Sequence, residues 1–593
     1  MSRYPETDAS SADGESLLRF DALGEVLVGQ NLLRFPTHGR VVAVAGRRGV
    51  GLSVRRRSQK ISSEVDSPPE LIGRGAELAV VMRALESSLP VELLAEPGGG
   101  KTAMLRQLAG ARSMLRRRVV FMSWREEPVG DLLQRLFESS YMTDPHVKVT
   151  PGQLHQYLQE LQAVVLLDDV SATPADVQVV MDSAPQCLFV FASEQELLWG
   201  EGRTVPLPGL TTDAALSLIE QRLQTSLGSG ERSAAQSVCQ ALEGHPLRIV
   251  QAAALAREEG LSFGDVSELI REAPARDALP AEIVSRLTER ERRMLSVLTC
   301  LGGAPLLSEL MARVTGLGAP TVTLNALVRR GLAEREGDRY RLAEPLPARV
   351  ASALESEWWA ERVLEQLTVW GDRAGDQRVR IVDEAEAVLW ALRWGTAHSK
   401  WLFVLRLARA VEAPMALGAR FEAWEIVLRS GLEAARALED REAESLFLHQ
   451  LGSRDLALGS TLSAEGDLTA ALALSQDTGD ERSMAATQHH LTLLEMTTRP
   501  EPPQTLRSYL PRRTTSAHRL RWTALKTMLV VLTLLVLASL LLLRNAPGKG
   551  VEVSATEVSF GEQAVGISRA RDVAVHNAGT AQVSITIRQP GLP

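Results

Sequence analysis

The chain is 593 residues long, 45% apolar and 23% charged, with a formal net charge of −8. That length exceeds one hydrophobic core and calls for several domains, and the acidic balance supplies no overall basic field for nucleic acid. Three cysteines (Cys187, Cys239 and Cys300) stand far apart without CxxC or His/Cys spacing, which excludes a disulfide framework or a zinc motif.

Residues 1–17 are polar, lack the apolar core of a signal peptide and are expected to be disordered, with the N-terminus in the cytoplasm. Residues 18–60 form a short β-rich segment, with runs such as Val26-Leu27-Val28 and 41–45, but too little apolar mass for a domain. This stretch has two readings: a β-forming signalling motif that templates assembly edge to edge, or a plain capping hairpin. Within it, GRRGVGLS (46–53) has glycines and a hydroxyl spaced like a phosphate loop, but Leu52 occupies the lysine position. It reads as a glycine turn between short strands. Residues 61–70, ISSEVDSPPE, form a linker.

From 71 to 205, strand-like apolar runs alternate with helical patterns, which predicts βαβ units and a parallel sheet. The run Val91-Glu92-Leu93-Leu94 leads into AEPGGGKT (95–102) and then a helical pattern. Gly98, Gly99 and Gly100 let backbone N–H groups turn inward around phosphate oxygens, and the following helix aims its positive end at them. Lys101 would reach the β- and γ-phosphates, and the Thr102 hydroxyl would hold Mg²⁺. A phosphate loop needs an acidic partner at the end of a buried strand. Ala163-Val164-Val165-Leu166-Leu167-Asp168-Asp169 supplies one, with a single strand-like unit, 119–122, before it in the chain. Asp168 would orient Mg²⁺ through water, and Asp169 would position the attacking water.

Taken in order, these motifs resemble the STAND class of signalling ATPases, relatives of the NB-ARC and AAA+ proteins. LIGRGAEL (71–78) looks like the family's entry motif near the adenine, with Gly73, Arg74 and Glu77 matching. CLFVFASEQ (187–195) resembles the sensor strand, and VPLPGLTTDAALSLI (205–219) the step into a helical domain. EGHPLRIVQAAAL (243–255) resembles the GxP motif, in which Gly244 and Pro246 match and the proline packs on the base. Residues 281–350 look like the family's winged helix, read as closing the switch rather than binding DNA. Two departures put fast hydrolysis in doubt: Ser193-Glu194-Gln195 lacks the sensor arginine, and RLAEPLP lacks a histidine that relatives place against ADP.

Residues 351–498 are helical and rich in tryptophan, with 448–491 resembling a tetratricopeptide-type arm whose alanines and glycines sit at helix crossings. After the proline-broken linker 499–521, residues 522–543 include a charge-free run, TMLVVLTLLVLASLLLL, that is expected to span a membrane. Basic residues concentrated before the run predict a single-pass protein with residues 1–521 cytoplasmic and the tail outside. Residues 544–593 alternate as β and resemble half of an immunoglobulin-like domain.

The sequence thus predicts a multidomain α/β plus α chain. Its parts are a three-layer αβα P-loop domain (71–205), a helical lid (206–280), a winged helix (281–350), a repeat arm (351–498), a transmembrane helix and a β-rich tail. The resemblance implies ATP or ADP with Mg²⁺, a protein ligand on the arm, homo-oligomerisation on activation and no DNA partner. The expected function is a membrane-anchored nucleotide switch with slow hydrolysis. The alternatives are an AAA+-type motor, and a scaffold or transcription regulator using its winged helix.

Overall fold

The computed structural model describes residues 25–28, 31–35, 40–45, 54–57, 71–110, 117–143, 147–354, 356–373, 378–498, 551–553 and 575–577. Segment 1–17, GRRGVGLS at 46–53, the linkers 61–70 and 499–521, the 522–543 run and most of the 544–593 tail lie outside them. The chain divides into two units, Met1–Arg499 and Pro500–Pro593.

The first unit opens with the short strands β1 (Glu25–Val28), β2 (Asn31–Arg34), β3 (Val42–Ala45) and β4 (Arg55–Arg56). The next segment contributes β5 (Val91–Leu94), β6 (Arg118–Ser123), β7 (Tyr141–Met142), β8 (Val147–Lys148), β9 (Ala163–Asp168), β10 (Leu188–Ser193) and β11 (Arg203–Pro206). Five of these form a sheet of order β11-β5-β10-β9-β6, with every pairing parallel. The reason is visible in β9, whose six residues are all buried. A strand covered on both faces needs no polar alternation. Val164 and Leu166 point into one apolar layer with Met104, Leu105 and Leu108 of helix Lys101–Gly110. Val165 and Leu167 point into the opposite layer with Leu132, Leu136 and Phe137 of helix Val129–Ser140. The result is a three-layer αβα domain of P-loop ATPase type. The strand lying between the loop strand β5 and the acid strand β9 is β10, which comes later in the chain, while β6 takes one sheet edge.

The N-terminal strands are stitched to this domain. β1, β2 and β3 make an antiparallel set, extended by parallel pairing of β1 with β8, and β4 pairs with β7.

Helices then run from Thr212–Leu223 to Ala275–Ser285. Helix Glu289–Cys300 starts at a capping box made by Thr288 and Glu291. It is followed by β12 (Leu306–Leu307), helices Ser308–Thr315 and Pro320–Arg329, and the hairpin of β13 (Ala333–Glu336) and β14 (Arg339–Leu342). These strands form an antiparallel sheet of order β12-β14-β13. The arm comprises stacked helices from Ser356–Arg373 to Glu481–Thr498. Small residues set its crossings: a Cβ on Gly452 would lie 2.5 Å from Leu468 Cγ, and one on Gly431 would lie 2.3 Å from Phe447 Cζ. Trp359, Trp370 and Trp424 are buried in its core, whereas Trp358 is exposed.

The second unit is described only by β15 (Val551–Val553), paired antiparallel with β16 (Val575–Asn577).

The predicted fold class is corrected in one part. No helix among the described residues is long and apolar enough to cross a membrane. The long arm helices show why: Trp401–Leu417 carries Arg406, Arg409 and Glu412, and its neighbours are likewise interrupted by charge. The 522–543 run lies outside the described residues. The described fold therefore holds no membrane-spanning helix, and the single-pass placement with a cytoplasmic 1–521 and an outer tail has no support in it.

Candidate nucleotide site

The loop Ala95–Gly100 joins β5 to helix Lys101–Gly110 at the carboxyl end of the sheet, where open parallel sheets form ligand crevices. Gly98 and Gly100 take φ of +74° and +97°, a region in which side chains are strained. Gly98 is also in close contact, because an added Cβ would lie 2.5 Å from Leu247 Cβ. Lys101 is 8% exposed, and its Nζ donates to the carbonyls of Ala95 (2.7 Å) and Glu96 (3.0 Å). Burial lowers its pKa, while the carboxylates of Glu194, Asp169 and Asp168 pull it back up. The ammonium thus rests on the loop's own carbonyls, at the mouth of the cradle it would serve.

Thr102 Oγ1 donates to Asp168 Oδ1 at 3.2 Å, joining the start of the helix to the end of β9. Asp168 is buried. That burial, then the neighbouring charge of Asp169, raises its pKa, against the opposing pull of Arg341 and the Thr102 hydroxyl. A hydroxyl and a carboxylate side by side are hard oxygen donors of the kind Mg²⁺ takes.

Asp169 has φ +51°, the left-handed region, which is uncommon outside glycine. Its carboxylate is ion-paired twice, to Arg125 Nη2 at 3.1 Å and to Arg341 Nη2 at 2.9 Å. Arg125 follows β6 and also binds Glu336 of β13 and Glu386 of the arm. Arg341 lies on β14 and binds Glu334 as well. One acid at the end of β9 is therefore tied through two guanidinium groups to the hairpin and the arm.

The other predicted residues surround the same loop. Arg74 is buried, with Nη2 donating to Gly99 O at 3.2 Å and Nη1 to Glu77 at 3.0 Å. It braces the phosphate loop from behind. Gly73 permits close packing, since a Cβ there would lie 2.4 Å from Ala214 Cβ. Gly244 has φ +69°, and a Cβ on it would lie 2.1 Å from Leu210 O. Pro246 starts the next helix, Leu247 N donates to Gly98 O at 3.2 Å, and His245 Nε2 donates to Pro97 O at 3.1 Å. Arg248 forms a buried pair with Glu344, Nη2 to Oε2 at 2.7 Å, where the resemblance led one to look for a histidine. A cavity of about 1350 Å³ is lined by the loop together with Arg74, Asp169, Pro246, Arg341 and Glu344.

Of the predicted residues, Arg74, Gly98, Gly99, Gly100, Lys101, Thr102, Asp169 and Pro246 line this cavity; Gly73, Gly244 and Asp168 do not, the two glycines packing against Ala214 and Leu210 and Asp168 lying behind Thr102. The sequence reading missed Arg125 and Arg341. The signal for Arg125 was an arginine just past the carboxyl end of a strand-like run. For Arg341 there was none beyond its place in GDRYRL.

No protein-family model and no curated protein matches the chain. Solved structures similar to it are P-loop ATPases. The signal-transduction ATPase with numerous domains PH0952 of Pyrococcus horikoshii, which carries a tetratricopeptide repeat sensor, is 15% identical, with 73% of this chain and 81% of that one covered and a TM-score of 0.37. The Walker-type ATPase paby2304 of Pyrococcus abyssi is 16% identical, covering 49% and 99%, with a TM-score of 0.25. The replication initiator DnaA bound to AMPPCP and single-stranded DNA is 15% identical, covering 43% and 87%, with a TM-score of 0.25. These scores are low, and the fold assignment rests on the chain's own strand order and loop.

Proposed function

We propose that this chain is a STAND-type switch that binds ATP or ADP with Mg²⁺ and hydrolyses it slowly. In this reading residues 71–205 hold the nucleotide, 206–280 form the lid, 281–350 a winged helix and 351–498 a sensing arm. The observation that carries it is the double ion pairing of Asp169 by Arg125 and Arg341. The acid that would position water is held by the same groups that fasten the hairpin and the arm. A catalytic motor needs that acid free in its working state; a switch needs two states of different nucleotide affinity.

Lys101 and the turned-in amides of the loop would bind the phosphates, and Thr102 with Asp168 would hold Mg²⁺. The metal, when bound, neutralises phosphate charge. Arg74 keeps the loop in shape, and the Pro246–Leu247 turn closes over it. Opening would part both Arg341 and Arg125 from Asp169, freeing the acid from the hairpin and the arm together, after which copies would associate. Duplex DNA is disfavoured because Arg339 and Arg341 of the hairpin are already paired with Glu384, Glu334 and Asp169.

The test is the nucleotide carried by the purified protein, read by chromatography after denaturation. ADP or ATP near one per chain is expected, and loss of it in Lys101→Ala. A folded wild-type chain that binds neither at micromolar concentration would end this reading.

A further inference from the structure

Strand β3 is an edge strand, paired on one side with β2. Edge strands leave main-chain groups unpaired, and these are normally covered or paired. Here side chains from two arm helices, Arg441–Leu458 and Glu481–Thr498, take the main-chain groups of Val41, just before the strand, and of Ala43 within it. His449 Nε2 donates to Val41 O at 2.8 Å, and Gln450 Oε1 accepts from Val41 N at 3.4 Å. His490 Nε2 accepts from Ala43 N, and His489 Nε2 donates to Ala43 O at 2.8 Å. Just before the strand, Arg40 is buried, with its guanidinium donating to Ser445 Oγ at 2.7 Å and Ser445 O at 3.0 Å.

Ser445, His449, Gln450 and His490 are all buried. Helices that met only each other would be apolar on those faces, since buried polar groups without partners are costly. Part of this polarity is used between the helices, His449 Nδ1 with Thr487 Oγ1 and His490 Nδ1 with Ser453 Oγ, and the rest satisfies an extended main chain and one guanidinium. Val41 and Ala43 are themselves fully buried, so the groove also selects small or β-branched side chains at alternate positions.

We propose that this groove is a peptide-binding site that recognises an extended segment by its main chain and a leading arginine. It is filled here by residues 40–45 of the chain itself and open to a partner protein's segment of the same kind. The inference stands on the groove alone and does not require the nucleotide reading. The internal occupant competes at a high effective concentration set by its tether.

The test uses the full chain and a fluorescent peptide of sequence Arg-Val-Val-Ala-Val-Ala, with its composition-matched scramble as control. Arg40→Glu should loosen the internal occupant and bind the peptide about tenfold or more tighter than the wild-type chain does, as expected when a tethered competitor is removed. Adding His449→Ala to that variant should abolish the gain. In the wild-type chain, excess peptide should speed amide hydrogen exchange at 41 and 43, a readout that survives if Arg40→Glu misfolds. Equal binding of the scramble, or no peptide effect on exchange at 41 and 43, overturns the proposal. So does self-association of Arg40→Glu that excess peptide fails to reverse.

Discussion

Arg341 on β14 holds Asp169 at the end of β9, Nη2 to Oδ2 at 2.9 Å, across about a third of the first unit's sequence. The two side chains are 11% and 23% exposed, so water screens the pair only in part. A charged hydrogen bond of this kind is worth roughly 1.5–3 kcal/mol. Arg341→Ala is therefore expected to speed release of a fluorescent ADP analogue about 10- to 100-fold in stopped-flow displacement. Arg341→Lys, which keeps the charge but loses the planar fork, should fall between. An unchanged release rate in Arg341→Ala would show that the pair does not govern closure.

Two glycines of the phosphate loop should respond differently to the same change. Gly98 has φ +74°, and a Cβ would lie 2.5 Å from Leu247 Cβ, in a helix of the neighbouring segment. Gly100 has φ +97°, but its nearest contact would be Pro246 Cγ at 3.9 Å. Gly100→Ala carries only backbone strain, about 1–2 kcal/mol, or about tenfold in nucleotide affinity if the strain falls on the bound loop. Gly98→Ala must also push the Pro246–Leu247 turn away, and should lose substantially more. Isothermal titration with ADP separates the two. Equal losses would mean that the Gly98–Leu247 contact is not felt at the site.

What could be read from the sequence was local. The glycine loop, its lysine and hydroxyl, and the two acids closing a fully apolar strand are defined by spacing, and the chain folds them as neighbours because one sheet collects its strand ends on one edge. The placement of β10 between β5 and β9 was not legible, because strand order depends on crossovers and not on any one strand's composition. Arg125, Arg341 and Glu386 were illegible for a similar reason: an arginine beside an acid far along the chain leaves no periodic trace. The N-terminal strands were seen as β but not placed. β1 and β4 pair with β8 and β7, and the stretch at β3 meets histidines of the arm, which in sequence looked like ordinary helix. The 522–543 run was read from hydropathy alone, and the described fold contains no helix of that character.

Asp131 illustrates another long-range device. It lies in helix Val129–Ser140 beside the sheet, yet its carboxylate caps arm helix Phe421–Ala437, accepting from Glu422 N at 3.2 Å and Ala423 N at 2.7 Å. Glu422 returns the contact by accepting from Gly130 N at 2.9 Å. The logic is that of a capping box split between two modules. Asp131→Ala should cost about 0.5–2 kcal/mol of docking energy. The expected readout is faster proteolytic cleavage between the α/β domain and the arm, with Asp131→Asn milder because one acceptor remains. Cleavage at the wild-type rate in Asp131→Ala would rule out a docking role for the cap.

The arm groove should also respond to acid. Burial holds His449 down to about 3, with Arg40 adding to the effect, and His490 down to about 2, with His449 and His489 adding to it. The ionisable groups around them are Arg40 on the strand side, His489 beside His490, Asp480 near Arg40, and Glu412 behind Gln450. His490 must be neutral at Nε2 to accept from Ala43 N, so protonation removes that bond outright. With the groove emptied and wetted, both rings return toward the ordinary histidine value of about 6.5. The emptied state then binds more protons than the filled one between about pH 3 and 6.5, so occupancy is strongest above pH 6.5 and weakens as pH falls below it. Each histidine that fully recovers its ordinary value contributes about tenfold at pH 5.5. Peptide affinity of the Arg40→Glu chain, measured at pH 7.5 and 5.5, should therefore drop by about 10- to 100-fold. His490→Gln, which cannot titrate, should flatten the profile by one histidine's share. A pH-independent affinity across this window would mean that the rings do not face the bound main chain.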